Sequence, residues 1–322
     1  MFAVYAEKFS TDDPLSGLVT GERPDPDVPD GWTTVEVKAA SLNHHDLWSL
    51  RGVGLREDAL PMILGCDAAG VDEDGNDVLV HAVIGDPAWR GDETEDPRRS
   101  LLSERYQGTF ADRVAVPRSN LVPKPESLSF AEAACLPTAW LTAYRMLFVQ
   151  GGLKPGQTVL VQGAGGGVAT ALITLARAGG LRVLATSRDE GKRQRALEIG
   201  AHEVFESGAR LPDRVDAVME TVGAATWNHS LRSLRPGGIV VISGATSGPN
   251  PDSTELNRIF FLQLRVVGST MGTRAELGQL VRFLDATGTK PLVDRILPMT
   301  DARDGFAAMN DGDVFGKIVF SR

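Results

Sequence analysis

The chain has 322 residues, 42% of them hydrophobic, with a formal net charge of −9; that is enough apolar material for a large core and, at this length, for two domains. The negative balance and the lack of any basic run exclude nucleic acid as an expected partner, because its phosphates would be repelled. No apolar stretch is long enough to span a bilayer, and Met1 to Phe9 shows no basic segment leading into an apolar run, so a cytoplasmic protein without a membrane partner is expected.

From Phe2 to about Pro123 the pattern is β-rich. FAVYA, TTVEVKAASL, DVLVHAVIG and FADRVAVP read as strands of an irregular, mostly antiparallel lobe, with a long turn region from Asp12 to Gly31 and a polar, acidic surface loop from Gly85 to Gln107. Cys66 and Cys135 are far apart among apolar or small residues, which suits a reducing compartment rather than a disulfide framework. Ser129 to Gln150 reads as helical. After Leu181, βα alternation continues through RVDAVMETVG, PGGIVVISGA and LRVVGSTMG, the composition of a doubly wound parallel sheet. Glu276 to Ala286 reads as a helix, and FGKIVF as a strand returning to the first lobe.

The segment Gly156 to Gly180 organises the rest. TVLVQG is a buried-strand run that breaks into glycines and resumes as a helix from Val168 to Ala178, with LRVLAT following as a second strand. A strand, a glycine turn and a helix let backbone approach a pyrophosphate, whose charge the first helical amides and the helix dipole favour. The turn is carried by Gly163, Gly165, Gly166, Gly167 and Val168, and Gly163, Gly166 and Ala169 read as G-x-x-G-x-x-A. Where an NAD-specific domain ends its second strand with an acid, this chain has Ser187 and Arg188, with Lys192 one turn on. A hydroxyl and two cations suit a ribose 2′-phosphate, so NADP(H) is expected over NAD(H); Asp189 and Glu190 beside them argue the other way.

The ordered motifs resemble the medium-chain dehydrogenase/reductase superfamily, in particular its zinc-free quinone-oxidoreductase-like branch. The resemblance rests on Ala40-Ser-Leu-Asn-His-His-Asp46, Pro61-Met-Ile-Leu-Gly-Cys-Asp-Ala-Ala-Gly70, Gly108-Thr-Phe-Ala-Asp112, Leu141-Thr-Ala143, the glycine turn, Gly268-Ser-Thr-Met-Gly272 and Gly316-Lys317. It implies a GroES-like catalytic domain over 1–122 and 273–322 and a Rossmann domain over 123–272, with the active site in the cleft. It also implies a homodimer joined through the last Rossmann strand, about Phe261 to Ser269. Thr142, Ser269, Thr270, Met271 and Gly272 are placed near the nicotinamide by the resemblance. It sets Glu220 to Gly223, including Thr221 and Val222, with Ser243 and Gly244, along the cofactor. Lys317 is expected either at a phosphate or in solvent.

At the positions of the catalytic zinc ligands of metal-bearing relatives stand Asn43, Cys66 and Thr138, and the loop from Gly85 to Gln107 has none of the four cysteines of a structural zinc. An amide, a hydroxyl and one thiol do not make a three-ligand zinc site, so no zinc is expected. Adjacent His44, His45 and Asp46 point different ways on a helix or strand and are not read as a shared metal site. Without a Lewis acid an ordinary ketone is hard to polarise, whereas quinones and α,β-unsaturated carbonyls spread the developing charge themselves. The expected catalytic residues are Asn43, as an amide donor or else only a helix cap, and His45, as proton donor or else a structural histidine. Asp46 is expected to orient backbone or a histidine, Trp48 to shape an apolar pocket and Cys66 to be core. The function expected is zinc-independent, NADPH-dependent reduction of a small-molecule quinone or enone. The alternatives are a metal-free NADP-dependent alcohol or carbonyl dehydrogenase and a catalytically silent NADPH-binding protein.

Overall fold

The computed structural model describes all 322 residues. They form two compact units, one of residues 1–139 with 272–322 and one of residues 140–271. Residues 123–139, placed by the sequence with the nucleotide domain, cluster with the first unit, because the short helix Phe130–Ala133 packs on the strands Trp32–Ser41 and Asp67–Asp72.

In the first unit the central strand Trp32–Ser41 pairs antiparallel with Asp67–Asp72, Arg113–Pro117 and the final strand Lys317–Ser321. The returning C-terminal strand is therefore where the sequence placed it, and Val293–Pro298 lies parallel to it at the sheet edge. DVLVHAVIG does not form one strand: Asp77–Val80 joins the large sheet and Val83–Ile84 leaves it to pair with Ser100–Leu101. Phe110, Phe306 and Phe320 fill the core between these layers, Phe110 standing edge-on to Phe320 at a ring separation of 5.1 Å. The segment 85–107 is not a simple surface loop. Asp96 is fully buried and its carboxylate accepts the amides of Asp86 (2.6 Å) and Arg98 (2.8 Å), so backbone that would otherwise be solvated is tied down.

The second unit is a six-stranded parallel sheet in the spatial order Glu203–Phe205, Arg182–Thr186, Thr158–Val161, Val215–Glu220, Leu234–Ile242, Arg265–Gly268. The edge strand Glu203–Phe205 has no clear signal in the sequence. Strands buried on both faces need apolar residues at successive positions, which TVLV and the inner part of VDAVME supply. The reversal of strand order falls at Thr158–Val161, where ligands of open α/β sheets bind. The helical stretch Ser129 to Gln150 is a composite: π-helical turns at Leu136–Trp140 and Arg145–Gln150 flank Leu141–Tyr144. Both cysteines are free and buried, and no helix is long and apolar enough to cross a membrane.

Candidate functional site

In the second unit the turn after Thr158–Val161 is made by Gly163 (φ +74°) and Gly165 (φ +143°), conformations that only glycine adopts without strain. A Cβ on Gly163 would stand 2.6 Å from Val222 Cγ2 and one on Gly165 2.9 Å from Lys192 Cδ, so the turn is closed on the protein side. Gly166 differs: nothing lies within 4 Å of where its Cβ would be. It begins the helix Gly167–Ala178, whose first turn no side chain caps. Uncapped N-terminal amides beside open space fit a phosphate group.

Beneath the turn lies a buried polar network that sequence reasoning missed. Thr186 Oγ1 accepts the Gly163 amide (3.3 Å) and donates to Gln162 Oε1 (2.6 Å), while Gln162 Nε2 donates to Ser230 Oγ (2.9 Å). Ser230 in turn donates to Glu220 Oε2 (2.5 Å). Glu220, fully buried, also accepts Thr226 Oγ1 and the amides of Val222 (2.8 Å) and Gly223 (3.0 Å). Each polar atom with a partner spares the cost of burying it bare, so the ends of three strands are locked together. The signal was faint: Gln162, Thr186 and Glu220 each end an apolar run.

Ser187 is buried and its Oγ accepts the Asp189 amide at 3.2 Å. Asp189 caps the helix Glu190–Glu198 by accepting the Lys192 amide at 2.8 Å. Its carboxylate is committed to the helix, which removes part of the argument for NAD; Arg188 beside it is exposed. Thr221 and Val222 follow Val215–Glu220, Ser243 and Gly244 follow Leu234–Ile242, and Ser269, Thr270 and Met271 (φ +49°) follow Arg265–Gly268. Thr142 is buried on a helix that packs against Gly167–Ala178. Gly272, expected beside the nicotinamide, clusters with the first unit.

In the first unit Asn43, His45 and Asp46 start the helix His44–Leu50. Asp46 Oδ2 accepts the Asn43 amide and Oδ1 the Gly65 amide, each at 2.9 Å, so the carboxylate orients backbone as expected. Burial pushes its carboxyl up to about 6, against the pull of His45 and of the two amides. Lys317 corrects the choice between a phosphate and solvent. It is 2% exposed, and its ammonium donates to Leu42 O (2.7 Å) and Asn43 Oδ1 (2.6 Å), 3.4 Å from Asp67 Oδ2. Asn43 Nδ2 donates to Asp67 Oδ2 (2.8 Å) and Ser41 O (3.3 Å). The amide thus has its oxygen and both hydrogens engaged inside the unit. This corrects the expectation of a free Asn43 donor for a substrate carbonyl; the alternative, a helix cap, agrees with its place at the N-cap of His44–Leu50 in a capping box with Asp46.

The three positions tested for zinc do not fit it. Asn43 Oδ1 already faces an ammonium. The Cys66 thiol, 1% exposed, donates to Leu102 O (3.2 Å) and is pushed well above its ordinary range by burial and then by the Asp46 charge, and Thr138 offers only a hydroxyl. A metal there would have to displace a buried cation and ionise a thiol held protonated. Cys66 is core. Trp48 is half-buried, with the Arg51 guanidinium 5.5 Å from its ring centre.

A chain that joins a GroES-like antiparallel unit with a buried polar cluster and a Rossmann unit with a glycine turn at its switch point has the make-up of a nucleotide-dependent oxidoreductase. The families described as Alcohol dehydrogenase GroES-like domain and Zinc-binding dehydrogenase match residues 29–126 and 167–286. A 2-methylene-furan-3-one reductase of Solanum lycopersicum is 31% identical, over 91% of this chain and 72% of its own. A quinone oxidoreductase of Mus musculus is 28% identical over 83% and 82%. A solved NAD-dependent alcohol dehydrogenase superposes with a TM-score of 0.91 at 32% identity, covering both chains fully. The chain belongs to the medium-chain dehydrogenase/reductase superfamily, and it is an oxidoreductase.

Proposed function

We propose that this protein is an NADPH-dependent, metal-independent reductase of quinones or α,β-unsaturated carbonyl compounds. The observation that carries this reading is the Lys317 ammonium on Asn43 Oδ1, a cation of the chain's own at a position where the sequence resemblance implies a zinc ligand in metal-bearing relatives. With no Lewis acid to polarise a plain ketone, the acceptor must delocalise the charge it receives. The names of the tomato reductase and the mouse quinone oxidoreductase agree with such acceptors.

When bound, the reduced nicotinamide supplies a hydride to the electron-poor carbon. The chain's part is to hold and to protonate. The first amides of Gly167–Ala178 receive the pyrophosphate, the Glu220–Ser230–Gln162–Thr186 network fixes the turn, and Arg188 with Lys192 pairs with the 2′-phosphate. His45 gives a proton to the substrate anion that remains.

In a chelator-treated preparation, NADPH oxidation with phenanthrenequinone or a panel of enones is the expected result, and Arg188→Ala should lower the NADPH-to-NADH affinity ratio by roughly tenfold. Zinc-dependent oxidation of alcohols with no enone turnover would overturn the reading in favour of an alcohol dehydrogenase. Tight NADPH binding with no turnover would leave a nucleotide-binding protein. The buried free thiols suit a reducing cytoplasm.

We also infer a homodimer through the sheet edge Arg265–Gly268. Val266 is 42% exposed there, and the adjoining Phe260 and Phe261 are 60% and 75% exposed. An unpaired edge strand beside exposed aromatic rings is a ready surface for a second copy. Sedimentation equilibrium should give twice the chain mass, and a monomer at micromolar concentration would refute it.

A further inference from the structure

Glu104 belongs to the loop that the sequence left as acidic surface, and it meets His45. His45 Nε2 is buried with no hydrogen-bond partner, and the nearest charged atom is Glu104 Oε1 at 3.9 Å. An imidazole nitrogen excluded from water needs a partner. A separation of 3.9 Å is one small side-chain rotation from a hydrogen bond, and catalytic hydrogen bonds commonly stand this long before a ligand is present.

Two features hold the carboxylate in place. Ser103, fully buried, has φ +67°, a left-handed conformation costly for serine; its amide donates to Tyr106 O (2.8 Å) and its hydroxyl stands 3.5 Å from Cys66 Sγ. Strain of this kind persists only where the surroundings impose it, and the next residue, Glu104, is tied through its other oxygen, Oε2, to the Leu101 amide (3.4 Å). Across the pair stands Gly54 (φ +82°), whose Cβ would lie 3.3 Å from Glu104 Oε1 and 3.9 Å from His45 Cε1. A side chain there would crowd both groups.

We propose that Glu104 is the positioning residue for His45: its carboxylate accepts the Nε2 proton and thereby directs Nδ1 to donate to the substrate. The inference rests on the reductive function proposed above. Hydride addition to the acceptor's electron-poor carbon leaves an enolate or hydroquinone anion. The imidazolium Nδ1–H bond breaks as the new C–H or O–H bond forms, and neutral His45 then recovers one proton from solvent. Glu104 stabilises the imidazolium and remains a carboxylate throughout. The other groups facing this ring and its partner are Asp46, on the same helix, and the Cys66 thiol behind them.

The first test needs no turnover. At alkaline pH the ¹⁵N spectrum of the imidazole shows which ring nitrogen carries the proton. The Nε2–H tautomer should dominate for His45 and lose ground in Glu104→Gln; an unchanged tautomer ratio overturns the pairing. The second test is kinetic. With an acceptor that the enzyme reduces, Glu104→Gln should lower kcat about tenfold with KM changed less than twofold, and Glu104→Asp should recover part of the loss. His45→Asn combined with Glu104→Gln should be no slower than His45→Asn alone, because the carboxylate acts only through the ring. Additive losses, or an unchanged kcat in Glu104→Gln, would overturn the proposal. If no acceptor is reduced at all, the functional reading falls and the tautomer measurement still decides the pair. Glu104 is partly exposed, so these substitutions leave the core intact.

Discussion

Lys317→Met is expected to destabilise the first unit by about 3–5 kcal/mol, the cost of removing one member of a buried charge pair. The methionine keeps most of the stem's volume, so little of this comes from a cavity. What is lost is the ammonium that satisfies Leu42 O and Asn43 Oδ1 and faces Asp67, whose side chain is 0% exposed. Asp67 would keep its bonds from Ser41 and Asn43 and lose its only cation in contact. A melting temperature lower by roughly 10 °C corresponds to such a loss in a unit of this size. With two units a single unfolding curve is ambiguous. Hydrogen exchange at the amides of Trp32–Ser41 reads the first unit alone, and a change below about 1 kcal/mol there would show that the cluster is not what holds it. Adding Asp67→Asn should return part of the stability, since the charge that lacks a partner is then gone.

In the second unit the larger effect is on the nucleotide. Gly166→Val should leave stability within about 0.5 kcal/mol of the parent, because its φ of −73° is open to any residue and no protein atom lies within 4 Å of the added Cβ. The same substitution should weaken NADPH binding at least about 100-fold, or about 2.7 kcal/mol, if the space it fills is, as proposed, where backbone and pyrophosphate meet. Gly163→Val would be a poorer test: with φ at +74° and Val222 at 2.6 Å, it would strain the turn whether or not a nucleotide binds there. A fluorescence titration gives the affinity and a thermal melt the stability. An unchanged dissociation constant would remove the glycine turn from the cofactor site.

The parallel sheet was legible because buried strands and the turns between them leave one-dimensional marks: apolar runs, then glycines. The returning strand FGKIVF was legible for the same reason. Less visible was anything decided by which side chains meet across the fold. Asn43 and Lys317 were singled out separately, yet they are 274 residues apart, and their hydrogen bond takes Lys317 out of both the roles expected of it. Asp67 stands inside a quoted motif and could have been weighed as a carboxylate beside a lost ligand. Glu104 could not, because a charged residue in an acidic loop looks like solvated surface until the fold brings it to His45. That the segment 123–139 clusters with the first unit was not legible for a related reason: a helical pattern running into the glycine turn does not show which core its first turns cover.

Two strands far apart in sequence lie side by side in one sheet, Lys317–Ser321 against Trp32–Ser41. The cation that Lys317 brings to that sheet follows residues 140–271 in the chain and is therefore synthesised after them. Residues 140–271 are contiguous and complete their own sheet while the chain is still being made, whereas the N-terminal strands must wait with Asp67 uncompensated. The unit begun first is thus closed after the one it encloses in sequence.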